Sequence, residues 1–198
     1  DFRTNKIIDS GVRIFPEGIN RDGQNESSKN AVRREKRQAR RQTFRRRLRK
    51  NMVKRKLMEH GLCPSQTYEF NEWFKLDPYE LRAKALDEEI TSYELGRIIY
   101  HLAQRRGFKS NRKAGQEDSS IFKGSSKTDT ISINETRAEI NKGYRTLGEL
   151  LFNTDPHIER RRNRYTTRKM YVEEFNKIWD QQQKYHPELL TNELKEIF

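Results

Sequence analysis

Arg33, Arg37, Arg41, Arg45 and Arg49 recur at intervals of four, the spacing that sets side chains one above another on an α-helix. A guanidinium is a planar, permanently charged fork that meets two phosphate oxygens at once and stacks on bases. A row of five is therefore chemistry for gripping a phosphate backbone, and Arg34, Arg40, Arg46 and Arg47 stand beside it. The surrounding stretch, "AVRREKRQARRQTFRRRLRKNMVKRK" (residues 31–56), holds 14 Lys and Arg, ten of them Arg, against a single acid, Glu35. The 198-residue chain carries a net charge of +13, and the residues outside this stretch contribute 28 basic and 28 acidic side chains. The excess charge sits on one element, which points to a localised polyanion site.

Other chemistry is thin. His60, His101, His157 and His186 are scattered, with no second His or Cys at metal-ligand spacing. His101 lies on a helix beside apolar residues and reads as a core or boundary residue. Cys63, the lone cysteine, is followed by proline and has no base partner in view, so it reads as a packed thiol in a reducing compartment. Glu88–Glu89, Glu117–Asp118 and Glu173–Glu174 are sequence neighbours, which on a helix point about 100° apart. They read as solvated surface acids. No phosphate-binding glycine motif is present. We expect no catalytic residue, metal site or cofactor of the chain's own, no membrane span and no signal peptide.

The basic stretch needs an outside partner on energetic grounds. Seven like-charged pairs lie four apart along it, and at about 0.2–0.5 kcal/mol each they oppose an isolated helix by roughly 1.5–3.5 kcal/mol. The apolar seam of Phe44, Leu48 and Met52, extended by Val53 and Leu57, is too narrow to offset this, and only Arg55–Glu59 offers an opposite pair. A membrane-surface helix needs a broad apolar face; a coiled coil needs steady apolar heptads and e/g charges of both signs. Neither pattern is here. A solvated charged helix or a localisation signal is the plainer reading of an ordinary charge run, but an excess of 14 to 1 favours nucleic acid. Two smaller clusters interleave cations with aromatics: Arg105, Arg106, Lys109, Arg112 and Lys113 around Phe108, and Arg160, Arg161, Arg162, Arg164, Arg168 and Lys169 around Tyr165.

The elements that position these residues are helical, and the fold class is all-α. A β-like run in "KIIDSGVRIF" (residues 6–15) and a polar linker with Gly18, Gly23 and paired serines come first. A helix of some 29 residues, roughly 43 Å long, follows from about Asn30 to Met58 and is stopped by Gly61 and Pro64. Asp77-Pro78 opens another. Thr91 with Glu94 has capping-box spacing before a helix whose Leu95, Ile98, Ile99 and Leu102 share a face and which Gly107 ends. Residues 114–133 read as a mobile loop. Helices follow near 135–141, after Thr146 (with Glu149 completing a second capping box), over about 167–183, with Tyr171, Phe175 and Ile178 on one face, and over roughly 191–198.

Four motifs in this order resemble one family: the arginine row, "LDPYELRAKAL", "LGRIIYHLAQRRGFKSNR" and "RNRYTTRKMYVEEFNKIW". The family is that of the single-chain type II CRISPR-associated RNA-guided DNA endonucleases, in its compact subtype. "GVRIF" is similar to the tail of that family's first resolvase-like nuclease segment. The resemblance implies a division into residues 1–29 (end of that segment and linker), 30–60 (the Arg-rich bridge helix) and 61–198 (part of the helical recognition lobe). It also implies bacterial cytoplasm and partners: guide RNA (crRNA and tracrRNA), target DNA in the RNA–DNA heteroduplex, and, as an alternative role, an acidic phage-encoded anti-CRISPR inhibitor on the same surface. RNA-binding residues expected from it are Arg33, Arg34, Arg37, Arg40, Arg41, Arg45, Arg46 and Arg49, with Arg106, Lys109, Arg112, Arg164 and Arg168 in the lobe. The family's first catalytic carboxylate would lie upstream of Asp1 and its His-Asn-His nuclease far downstream. Mg2+ would serve that parent nuclease, and this chain is expected to bind rather than cut.

Overall fold

The computed structural model of the protein describes residues 7, 10–15, 17–23, 25–105, 107, 131–155, 157, 161 and 163–198. The chain divides into two compact units, residues 1–45 and 46–198.

In the first unit, β1 (Ile19–Asp22) and β2 (Asn25–Ser28) form an antiparallel hairpin with Ile19 opposite Ser28 and Asp22 opposite Asn25. Gly23, at φ +59°, supplies the left-handed geometry that a tight hairpin turn demands. Arg21 ties it together, 2.8 Å from Glu17 and 3.3 Å from Glu26 on the facing strand. This corrects the sequence reading: the strands lie in the segment expected as a linker. Of the run expected as β-like, Ile7, Val12, Ile14 and Phe15 are highly exposed and in no strand. The Asp-Gly pair outweighed β-propensity, because a ladder needs a turn and a pairing strand.

Helix α1 (Ala31–Glu59) matches the expected helix to within one residue at each end. It ends in a Schellman motif: Leu62 N–H donates to Leu57 O (2.8 Å) and Gly61 N–H to Met58 O (3.2 Å). Gly61, at φ +66°, takes the conformation that L side chains avoid. Leu57 and Leu62 complete the motif's apolar contact, and both are fully buried.

The second unit adds α2 (Glu69–Lys75), α3 (Pro78–Lys84), α4 (Ser92–Gln104), α5 (Ile133–Gly143), α6 (Leu147–Asn153), α7 (Arg168–Gln182) and α8 (Asn192–Ile197). The expected all-α class holds. Starts written in the sequence are realised: Asp77 accepts from Tyr79 N–H, and Thr91 and Glu94 form a reciprocal capping box. Thr146 makes only half of its expected box. Its hydroxyl accepts from Glu149 N–H, but the Glu149 carboxylate turns to Arg145, accepting from both its backbone N–H (2.6 Å) and its guanidinium. A charged partner one residue earlier is the stronger donor.

Two further differences are instructive. Helix α2 was not legible, because its N-cap, Tyr68, makes no side-chain cap bond. The helix is held instead by burial of Phe70 and Trp73, and by Trp73 Nε1–H donating to Tyr93 O at 2.7 Å. Helix α5 begins inside the stretch expected as a loop: Ile131 bridges to Arg164, and Ser132 with Glu135 makes a capping box. Residues 114–130 of that loop lie outside the described residues.

A buried ion pair joins the helices. Arg82 on α3 and Glu174 on α7 are almost wholly buried and meet through two hydrogen bonds of 2.6 Å. Gly148 N–H at the start of α6 donates to the same carboxylate (3.0 Å), and Arg82 Nη1 lies 3.5 Å from His101 Nδ1 on α4. A Cβ on Gly148 would collide with the Glu174 carboxylate and come within 2.7 Å of Arg82 Nε, so this approach requires glycine. Glu174 is thus not the surface acid expected of its sequence pair; Glu173, its neighbour, is partly exposed and pairs with Arg137 (2.7 Å). Gln182, fully buried, donates to Ala85 O and Glu88 O and accepts from Ile90 N–H, fixing the α3–α4 connection on α7.

Replacing Glu174 with Gln strands the Arg82 charge in the interior. A loss of about 3–5 kcal/mol in urea unfolding is expected, and in a cycle with Arg82→Met the two losses should not add. Asp87 and Glu173 are held below the ordinary carboxylate range chiefly by hydrogen bonds from Arg145 and Arg137. Such groups contribute stability above their unfolded pKa and lose it as pH falls through the lower folded value. The urea midpoint should therefore stay flat near neutrality and drop as pH descends through about 4. Arg145→Ala should shrink that drop.

Candidate nucleic-acid interface

Helix α1 presents its arginines as the sequence spacing required. Arg33, Arg34, Arg37, Arg40, Arg41, Arg45 and Arg46 are all exposed. Successive members of the i+4 row rise about 6 Å and rotate about 40°. From Arg33 to Arg49 the row thus climbs about 24 Å and winds about 160° round the axis. A flat surface could touch only part of it; a strand that follows the helical path could touch all of it. Among the described residues, ion pairs on α1 gather in its last turn, where Glu59 meets Lys56 (2.6 Å) and Arg55 (3.6 Å). Arg33 to Arg47 take part in none.

The apolar seam explains which part of α1 is anchored. Phe44, Leu48 and Met52 remain exposed, Val53 packs against the core of the second unit, and Leu57 is fully buried in it. Lys54 is held over the Phe70 ring (3.5 Å to the centroid), so one cation of the run is committed to packing. Cys63 is buried, its thiol directed at Lys54 O (3.8 Å) and pushed up to about 11 by burial. It is the packed thiol expected from sequence.

The lobe cations divide. Arg106, Lys109 and Arg112 lie outside the described residues. Arg164 is buried, with Nη1 donating to Glu139 (2.7 Å). Arg161, from the same cluster, lies over the Tyr79 ring (4.8 Å) and 3.6 Å from Asp77. Arg168 opens α7 and stays partly exposed. The structure brings Arg168 and Arg49 to one groove of about 390 Å³ in the second unit, lined also by Ile99, Tyr171 and Phe175. Sequence reasoning placed Tyr171 and Phe175 on a core face and missed this groove. The available signal was Arg168 with Val172, four apart at the start of α7. Also missed were the exposed aromatics around α2, Tyr68 and Phe74. Among the described residues no cluster of three His, Cys, Asp or Glu side chains could hold a metal ion, and no helix is long and apolar enough to cross a membrane.

These features define a helical protein with a densely arginine-clad helix. No protein-family model matches the chain. It is 30% identical over 157 residues to the CRISPR-associated endonuclease Cas9 of Campylobacter jejuni, an alignment covering 74% of the chain and 15% of that protein. It is 27% identical over 195 residues to Cas9 1 of Streptococcus thermophilus, covering 94% and 16%. Its fold is shared with C. jejuni Cas9 in complex with sgRNA and target DNA (TM-score 0.62, 19% identity, 85% of the chain and 24% of the other). An St1Cas9–sgRNA–tDNA20–AcrIIA6 assembly shares it as well (TM-score 0.63, 23% identity, 85% and 20%). The chain is homologous to the Cas9 endonucleases, and it spans about 15% of the length of the curated relatives it matches.

A peptide of residues 31–59 should be only partly helical in low-salt buffer and gain ellipticity at 222 nm when inorganic polyphosphate is added, since the anion relieves the like-charge pairs. Full helicity without the anion would contradict the self-repulsion argument.

Proposed function

We propose that this chain is the guide-RNA-binding portion of an RNA-guided DNA endonuclease, with residues 30–60 as its bridge helix and 61–198 as part of its recognition lobe. In this reading residues 1–29 close the first nuclease segment, and cleavage belongs to other parts of the parent enzyme. The observation that carries the proposal is the exposed run Arg33 to Arg47, free of ion pairs among the described residues, on a chain whose remaining charge sums to zero. Homology to Cas9 supports taking the polyanion to be the backbone of guide RNA and of its duplexes. Base pairing reads sequence in such systems, while the protein reads backbone and A-form shape.

Arg37, Arg41, Arg45 and Arg49 form the principal grip, with Arg33, Arg34, Arg40 and Arg46 flanking it and Arg168 supplying the lobe side. Arg106, Lys109 and Arg112 extend the proposed set. Arg164 is left out, since Glu139 takes its charge. Target DNA is reached through the heteroduplex. An acidic anti-CRISPR protein is the second reading of the same surface, supported by the presence of AcrIIA6 in one assembly of shared fold; it would act by presenting carboxylates where phosphates bind.

Binding to guide scaffold RNA should weaken steeply with salt. If about 8–10 phosphates are neutralised, the log–log slope lies near −6 to −9. Changing Arg37, Arg41 and Arg45 together to Gln should flatten that slope by about 2–3 without moving the urea midpoint. A salt-insensitive interaction, read by fluorescence anisotropy, sinks the proposal. An acidic protein that binds the chain but is not displaced by the RNA would argue against a shared surface.

A further inference from the structure

The groove shared by Arg49 and Arg168 has a composition that α1 lacks elsewhere. Much of its lining is apolar and aromatic, including Tyr171, Val172 and Phe175 on α7 and Phe198. None of its lining side chains is acidic. Its volume, about 390 Å³, falls in the roughly 300–1,000 Å³ range of pockets that enclose small ligands. One nucleoside fits such a space; a duplex does not.

The electrostatics favour an anion beside an aromatic ring. Among α3 to α8, each of which has a capping side chain, α7 alone lacks an acid in its first turn and opens with Arg168 and Lys169 instead. The partial positive charge of its N-terminus is therefore reinforced rather than neutralised. Arg49 adds a second guanidinium from α1. An apolar peptide side chain would meet the apolar lining but offer no charge to the two guanidiniums. A phosphate alone would use the cations and leave the rings exposed. A nucleotide satisfies both, because its base stacks on aromatic faces while its phosphate meets the arginines.

We propose that this groove takes one unpaired nucleotide of the bound RNA, with the base among Tyr171, Phe175 and Phe198 and its phosphate on Arg49 and Arg168. The site would fix the register of the RNA along α1, since a row of backbone contacts alone lets a strand slide. This inference rests on the RNA-binding reading above and goes beyond it in naming an inserted base.

The test compares the whole 198-residue chain with two probes, a short single-stranded RNA of mixed sequence and the same backbone with its bases removed. The base-bearing RNA should bind about 5- to 150-fold more tightly. Phe175→Leu, which keeps apolar bulk and removes the ring, should erase most of that preference while leaving affinity for the abasic backbone unchanged, and Phe175→Tyr should restore it. With 4-thiouridine in the RNA, crosslinks should map to the peptide holding Tyr171 and Phe175. An unchanged preference in Phe175→Leu, or crosslinks confined to other segments, overturns the groove proposal and leaves the arginine helix intact as an RNA grip. If neither probe binds, both readings fail. If an acidic Glu–Tyr peptide competes with the RNA and its competition is lost in Phe175→Leu while base preference is not, the groove serves a protein partner and the nucleotide proposal falls.

Discussion

Charge segregation is the constraint on which this protein turns. Within the helical unit the cations find partners at home: Arg82 with Glu174, Arg137 with Glu173, Arg145 with Asp87 and Glu149, Arg164 with Glu139. Among the described residues, Arg33 to Arg47 on α1 form no ion pair. Fourteen cations against one acid over 26 residues store repulsion that a hydrophobic seam of three exposed residues cannot offset. The same density that makes the helix costly by itself makes it a strong ligand for phosphate, because each neutralised phosphate also releases condensed counterions.

Holding such a helix demands a body that gives it one firm end. The Schellman turn at Gly61 places Leu57 and Leu62 in the core, so the last turns of α1 are anchored by apolar burial while Arg33 to Arg47 stay exposed. The body behind that anchor is small, and several of its joints are polar. The Arg82–Glu174 pair touches α3, α4, α6 and α7 through a single carboxylate and a single guanidinium. Buried charge is a poor source of net stability, but it is directional, and this arrangement of the helices satisfies both groups at 2.6 Å. With 32% apolar residues in the sequence, geometry supplied by hydrogen bonds takes over part of what a larger core would do. Gln182 and His186 act alike, binding the 85–90 connection to α7 and its C-terminal extension.

The proposed function combines a winding row of forks with a body that carries shape. Arginines spaced about 6 Å apart and rotating about 40° per step match a strand that curves with the helix. The groove beside Arg49 and Arg168 adds an apolar recess next to that row, the one we propose for a base. Homology to Cas9 over most of the chain gives this arrangement its biological setting. The proposed contacts themselves come from the residues.

Much of this was legible before any coordinates. The arginine row, its helix and its stop at Gly61 could be read because they are local: a 3.6-residue period and a glycine cap operate within a few residues of chain. Caps at Asp77 and Thr91 were readable for the same reason. What failed were elements whose cause lies elsewhere in the sequence. Helix α2 has no cap and exists because Phe70 and Trp73 are buried against α4. Glu174 left the surface because Arg82, 92 positions away, needed a counter-charge. Arg164, which sequence could only count as one more cation, was claimed by Glu139. The sequence by itself determined where charge is concentrated and which segments are helical. Only the tertiary structure decided which charges are cancelled, because a charge is cancelled by proximity in space and the pattern of types along the chain does not encode that distance.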